Sequence, residues 1–107
     1  MASHSVITNP ELKKATDRQE ESIGKEIRNR IRLSLASYAY EFHDDSLMTD
    51  AEFDKLSREI NPNEKTGNEL IDRFFREEFM PDSGMWIRKH PELWKLEHIY
   101  KTLRGKK

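Results

Sequence analysis

Apolar residues along this chain recur at three- and four-residue intervals, and strand-like alternation is hard to find. That spacing marks one face of an α-helix. The sharpest run is Ile23, Ile27, Ile31, Leu35, Tyr38 and Phe42, predicted to share one face of a long helix. Leu33, Ala36 and Tyr40 form a neighbouring stripe, so the end of this helix reads as apolar on two sides. Two starts are available upstream. Asn9-Pro10 offers a cap and a first-turn proline. Thr16 is the alternative, because Gly24 weakens the early part by about 1 kcal/mol relative to alanine. Residues 1–9 read as a flexible tail.

The helical pattern breaks at His43-Asp44-Asp45-Ser46-Leu47-Met48 and resumes with Phe53, Leu56 and Ile60. Thr49 and Glu52 at its head have the spacing of a capping box, in which each side chain accepts from the other residue's backbone N–H. Asp50 and Glu52 also sit where the helix dipole favours negative charge. Asn61-Pro62 ends the element. Thr66 and Glu69 repeat the capping-box spacing ahead of Leu70, Ile71, Phe74, Phe75 and Phe79. Residues 80–84 read as a turn. His90-Pro91 is the predicted start of a last helix carrying Leu93, Leu96, Tyr100 and Leu103, with Gly105 as its stop. The expectation is an all-α fold, a single helical domain over residues 10–105. A helical hairpin occupies 23–61 and two further helices occupy 66–104.

Composition narrows the function classes. At 107 residues the chain holds one domain at most, and 35% apolar against 36% charged residues allows only a modest core. Ten aromatic residues (two Trp, three Tyr, five Phe) argue against full disorder. The net charge of −1 gives no strong field for recruiting nucleic acid or a membrane. Charge is uneven, however. Glu41, Asp44, Asp45, Asp50, Glu52 and Asp54 cluster with no Lys or Arg among them, whereas the segment from Trp86 onward is basic. Cysteine is absent, which excludes disulfides, thiol catalysis and cysteine-based zinc sites. No apolar run approaches a membrane span and the N-terminus has no signal-peptide core, so a cytoplasmic protein is expected.

The acidic stretch is where ligand chemistry is concentrated. Tyr38 and Tyr40 are two apart on a helix and point about 200° from each other, so only one of them can face the core. Asp50 and Asp54 are four apart, on one face of the next helix. Carboxylates beside an exposed tyrosine suit a ligand with hydroxyls and a cationic ring, through hydrogen bonds, stacking and cation–π contact. The same acids also read simply as complements to a helix N-terminus and a solvated turn.

Residues 37–60, SYAYEFHDDSLMTDAEFDKLSREI, resemble the N-terminal Ia subdomain of bacterial NAD-dependent DNA ligases. The family's outline is a tyrosine-rich helix end, an Asp-x-Pro loop and then Ser/Thr-Asp-x-Glu-Tyr-Asp-x-Leu. In those ligases the subdomain is a small helical unit that grips the nicotinamide mononucleotide (NMN) half of NAD. The resemblance implies that Tyr40 takes the place of the nicotinamide-contacting tyrosine. It likewise implies that Asp50 and Asp54 match the two aspartates at the ribose and nicotinamide end. Three positions depart from the pattern. Glu41 stands for His or Tyr, Phe53 for a ligand-contacting Tyr, and Ser46 for the loop proline. Glu41 adds negative charge where a phosphate would approach, and Phe53 lacks the phenolic hydroxyl. The ligase nucleophile, a lysine in Lys-x-Asp-Gly, has no counterpart, so the chain resembles small stand-alone ligase-related proteins of phage and prophage genomes and is expected not to be an enzyme.

Other motifs carry less. His90 and His98 are eight apart, whereas zinc sites on a helix need spacings of three or four. His43 beside Asp44 and Asp45 lacks the alternation of a calcium loop. No metal is expected. The basic C-terminal stretch interleaves Trp86, Trp94 and Tyr100, a mix that binds nucleic acid in other proteins. The alternative is that Trp94, Leu96, Ile99, Tyr100 and Leu103 are largely core and the lysines are solvated. Phe74, Phe75, Phe79, Met80, Met85 and Trp86 form a dense apolar group, either core or partly a partner-binding patch. Two main functional expectations result. One is a non-catalytic module binding NMN or NAD through Tyr40, Asp50 and Asp54, with Glu41 and Phe53 beside them. The other is a protein-interaction module, acting on host DNA metabolism or defence, that has lost the nucleotide site. DNA binding through the C-terminal helix is a third.

Overall fold

A single long helix, α1 (Pro10–His43), is the spine against which everything else packs. The computed structural model describes residues 10–105, with side chains from Glu20 onward. The expected tail over residues 1–9 and the Asn9 cap lie outside the described residues. After α1 come α2 (Asp50–Glu59), α3 (Glu69–Glu78), a 3-10 helix (Met85–Lys89) and α4 (Leu93–Gly105). Among the described residues there is no strand, and the fold is all-α. α1 packs against α2, the 3-10 helix and α4. It starts at the proline and runs through Gly24 without a break.

The buried face of α1 differs from the predicted one. Tyr38 is buried, but Ile27, Ile31 and Phe42 are exposed. What α1 buries is Leu33, Ala36, Ala39, Ser34 and Ser37, together with Glu26, Asn29 and Arg30. The face that is buried is the one on which α2, the 3-10 helix and α4 dock. Ile27 and Ile31 instead form one wall of a groove opposite Ile71, Leu96 and Ile99.

The polar residues on the buried flank form a closed cluster. Arg30 donates to Glu26 at 2.7 Å and to Asp72 of α3 at 2.8 Å. It also donates to the carbonyls of Asn61 and Glu64 at 2.9 and 3.0 Å. Glu26 in turn accepts from the Asn61 N–H, and the Arg30 guanidinium lies 4.9 Å from the centre of the Phe75 ring. One side chain thus ties α1 to the α2–α3 loop and to α3. Buried charge is tolerable here because every partner is hydrogen-bonded.

Capping follows the sequence at α2 and departs from it at α3. The Thr49–Glu52 box is formed, with both reciprocal bonds present at 2.8 and 3.1 Å. At α3 the cap is Asn68, which accepts from the Ile71 N–H, and not Thr66. Thr66 donates its hydroxyl and its backbone N–H to Asp72 instead. Gly67 between them has φ of 95°, a left-handed conformation that glycine adopts without penalty and that sets Asn68 at the helix head. Burial pushes the Asp72 carboxyl up, but the Thr66 and Arg30 bonds outweigh it and hold the group below the usual carboxylate range.

Residues 80–84 form the expected turn, but a 3-10 helix follows before the last helix begins. It buries Trp86 and Ile87 against Leu33, Tyr38, Leu56, Ile60, Phe74, Phe75 and Leu96. Five residues are too few to show a helical period in sequence. His90 caps the following turn by accepting the Glu92 N–H at Nδ1, 2.9 Å away. On α4, Leu96 is buried while Trp94 and Leu103, expected in the core, are exposed. Within the dense apolar group, Phe74, Phe75 and Trp86 are core, Phe79 is half-buried, and Met80 and Met85 face outward.

Candidate functional site

The corner between α1 and α2 is fixed by contacts that use up much of the acidic stretch. Asp44 ends α1 in a left-handed conformation (φ 51°), and the Asp45 N–H then closes on the Ala39 carbonyl at 3.0 Å. Asp is among the few side-chain-bearing residues that visit this region readily. Asp45 turns to α4, accepting from Tyr100 at 2.7 Å and from two Arg104 nitrogens at 2.8 and 3.0 Å. The Arg104 and Tyr100 bonds hold its carboxyl below the usual range. Glu97 of α4 accepts from the Tyr38 hydroxyl and pairs with His43 at 2.9 Å and Lys101 at 3.1 Å. These bonds lower Glu97 to about 2, while burial and the adjacent Glu97 push the Tyr38 phenol up to about 12. Acidic corner and basic C-terminus therefore attract each other within one chain.

With those groups engaged, a cavity of about 290 Å³ remains between the end of α1, the 46–50 segment and residues 83–85. Tyr40, Glu41, Asp50 and Phe53 all line it. Tyr38 is buried and Tyr40 is 60% exposed, as their 200° separation requires. The Tyr40 ring is therefore presented rather than packed. Glu41 pairs with Arg88 at 3.0 Å, so its negative charge is offset, and Arg88 in turn lies over the Phe42 ring. Phe53 is half-buried, packing on the core with the tip of its ring beside Gly84. Asp54 does not line the cavity. It makes an exposed pair with Arg58, one turn on, at 3.1 Å.

The remaining wall comes from Ala36, Ser37, Ser46, Leu47, Met48, Ser83, Gly84 and Met85, of which no motif marked Ser83 and Gly84 as site residues. Ser37 lies on a helix amid an apolar pattern, and residues 83–85 reach the site only through tertiary packing. The site thus combines an exposed aromatic face, a carboxylate at Asp50 that is unpaired among the described residues, the serines 46 and 83, and an apolar back wall. Such a set binds by stacking and hydrogen bonding.

The groove along Ile27, Ile31, Ile71 and Ile99 is a second cavity, of about 270 Å³, on the Arg30 side. His90 lines it too, and burial lowers this imidazole to about 4. Among the described residues no group of three or more His, Asp or Glu is placed to hold a metal ion. No helix among them is long and apolar enough to cross a membrane. No family model matches the chain, and comparison with curated proteins and with solved structures likewise gives no match.

Proposed function

We propose that the protein is a non-catalytic binding module that takes a nicotinamide nucleotide, NMN or NAD, in the cavity at the α1–α2 corner. The observation that carries this reading is the gathering of Tyr40, Glu41, Asp50 and Phe53 around one cavity with the Tyr40 ring exposed. A cationic pyridinium ring stacks on the Tyr40 face. Asp50 accepts from ribose hydroxyls. The Arg88 partner of Glu41 removes much of the repulsion that this acid would exert on a phosphate. The resemblance of residues 37–60 to the ligase Ia subdomain supports the same ligand, with Asp54 as an outer contact at most.

The test is an amide NMR titration with NMN and then NAD at low salt. Saturable shifts centred on Tyr40, Asp50 and Gly84, abolished by Tyr40→Ala, are expected. No shift at millimolar ligand overturns the reading.

A second reading, a protein-interaction module acting on host DNA metabolism or defence, is favoured by a different observation. Trp94 is 68% exposed, and Ile27, Ile31 and Leu103 are exposed as well. DNA binding by the C-terminal helix is disfavoured by charge pairing. Arg88, Lys89, Lys95, Lys101 and Arg104 each have a carboxylate partner in the chain. A protein whose cations are already neutralised releases few counterions from DNA.

A further inference from the structure

The corner cavity is lined by two carboxylates, Glu41 and Asp50, and by no Lys, Arg or His. Among the described residues one cation is ion-paired to its wall. This is Arg88, whose Nε donates to Glu41 Oε1 at 3.0 Å. Arg88 lies in the 3-10 helix three residues after Met85, which lines the cavity. Residues three apart eclipse each other on a 3-10 helix, so the two side chains stand on the same side of it.

Arg88 is held unlike the other arginines that tie elements together. Arg30 places all three guanidinium nitrogens on acceptors, and Arg104 grips Asp45 with two. Arg88 uses Nε alone. Its terminal nitrogens make no hydrogen bond among the described residues, and its side chain is 53% exposed against 14% for Glu41. The guanidinium is nonetheless positioned, with Glu41 on one side and the centre of the Phe42 ring 5.3 Å away. A planar fork anchored at one nitrogen, with both outer NH2 groups unspent, suits a phosphate, which accepts two parallel N–H bonds from such a fork.

We propose that Arg88 is the phosphate contact of the corner cavity, and that it makes the site select a phosphorylated ligand over the same molecule without its phosphate. The cavity and its rim then complement a ligand charged at both ends. The cationic ring meets Tyr40 and Asp50, and the phosphate emerges beside Glu41, where the terminal N–H groups of Arg88 meet it. Glu41 serves as the post that keeps the guanidinium at the rim. This inference rests on the nucleotide reading above and adds to it the residue that reads the phosphate.

The experiment is isothermal titration of the full chain, at low salt, with nicotinamide mononucleotide and with nicotinamide riboside, which differ only by the phosphate. Wild type, Arg88→Gln and Arg88→Lys are compared. Wild type is expected to bind the mononucleotide about tenfold more tightly than the riboside, as one charge-assisted contact implies. Arg88→Gln is expected to remove most of that ratio by weakening the mononucleotide alone. Arg88→Lys keeps the charge without the fork and should retain part of it. Equal wild-type affinity for the two compounds overturns the phosphate selectivity. A ratio that survives Arg88→Gln overturns Arg88 as the contact. Equal weakening of both compounds in Arg88→Gln does so too, because a residue that only props up Glu41 would act on either ligand. All three leave the nucleotide reading standing. No binding of either compound by the wild type overturns both.

Discussion

Two polar clusters lie along α1, and they are built on opposite plans. Around Arg30 the groups are engaged with one another: Glu26, Asp72 and two loop carbonyls accept four hydrogen bonds from one guanidinium. Around Tyr40 and Asp50 the groups face a cavity, with a tyrosine ring exposed and a carboxylate that is unpaired among the described residues. Both are made of residue types that sequence alone marks as chemically active. Satisfaction separates them. A buried polar network that is complete holds a fold together, whereas one left open at a cavity wall is poised for something that is not part of the chain.

The contrast breaks most visibly at Arg30. Arg30→Ala strips the partner from two buried carboxylates, and the expected loss is about 3–5 kcal/mol of unfolding free energy. Against a typical total of roughly 5–15 kcal/mol this leaves a marginal fold. Urea denaturation followed by circular dichroism measures it, and a loss below about 1 kcal/mol would show that the cluster is dispensable.

Acid titration probes the same side of the molecule with a smaller effect. His90 is neutral in the fold, where its Nδ1 accepts a hydrogen bond and burial lowers it to about 4. The unfolded chain protonates it near 6.5. Between those values the unfolded state binds more protons, so stability falls as pH is lowered through that window. After allowance for the ring's partial exposure, the expected loss is about 1–2 kcal/mol between pH 7 and pH 4. Asp45, Asp72 and Glu97 are all held low, so their contribution begins to fade at about pH 4–5, where the unfolded chain's carboxylates protonate, and is gone below their own depressed values. Melting temperatures from pH 7 to pH 4 for wild type and His90→Gln check this. The variant's curve should be flatter above pH 4, and parallel curves would remove His90 from the account.

The smallest effect on stability sharpens the other half of the comparison. Asp54→Ala removes an exposed ion pair and should change stability by no more than about 0.5 kcal/mol. Asp50→Ala should cost a similar amount through the helix dipole. Only Asp50→Ala should abolish the NMN shifts in the NMR titration. Equal loss of binding in both variants would return Asp54 to the site.

Local signals in the sequence were reliable where one element carried them. The Thr49–Glu52 box, the stop at Asn61-Pro62 and the opposed directions of Tyr38 and Tyr40 all depend on residues within a turn or two of each other. The second box at Thr66 failed for a tertiary reason. Asp72, recruited by Arg30 from α1, claimed the threonine, and Gly67 handed the cap to Asn68. The isoleucine stripe failed for a similar one, since periodicity shows that a face is apolar without showing which neighbour approaches it.

What the sequence by itself determined is the all-α class, the ends of α2 and the closeness of Tyr40, Glu41, Asp50 and Phe53 to one hairpin corner. Those follow from backbone sterics, capping and the helical period, all short-range. Only the tertiary structure decided that Arg30 is a buried node, that the Ala and Ser flank and not the Ile stripe carries the packing, and that residues 83–85 close the wall of the corner cavity. Each of those depends on residues tens of positions apart, and such contacts are set by how whole helices dock.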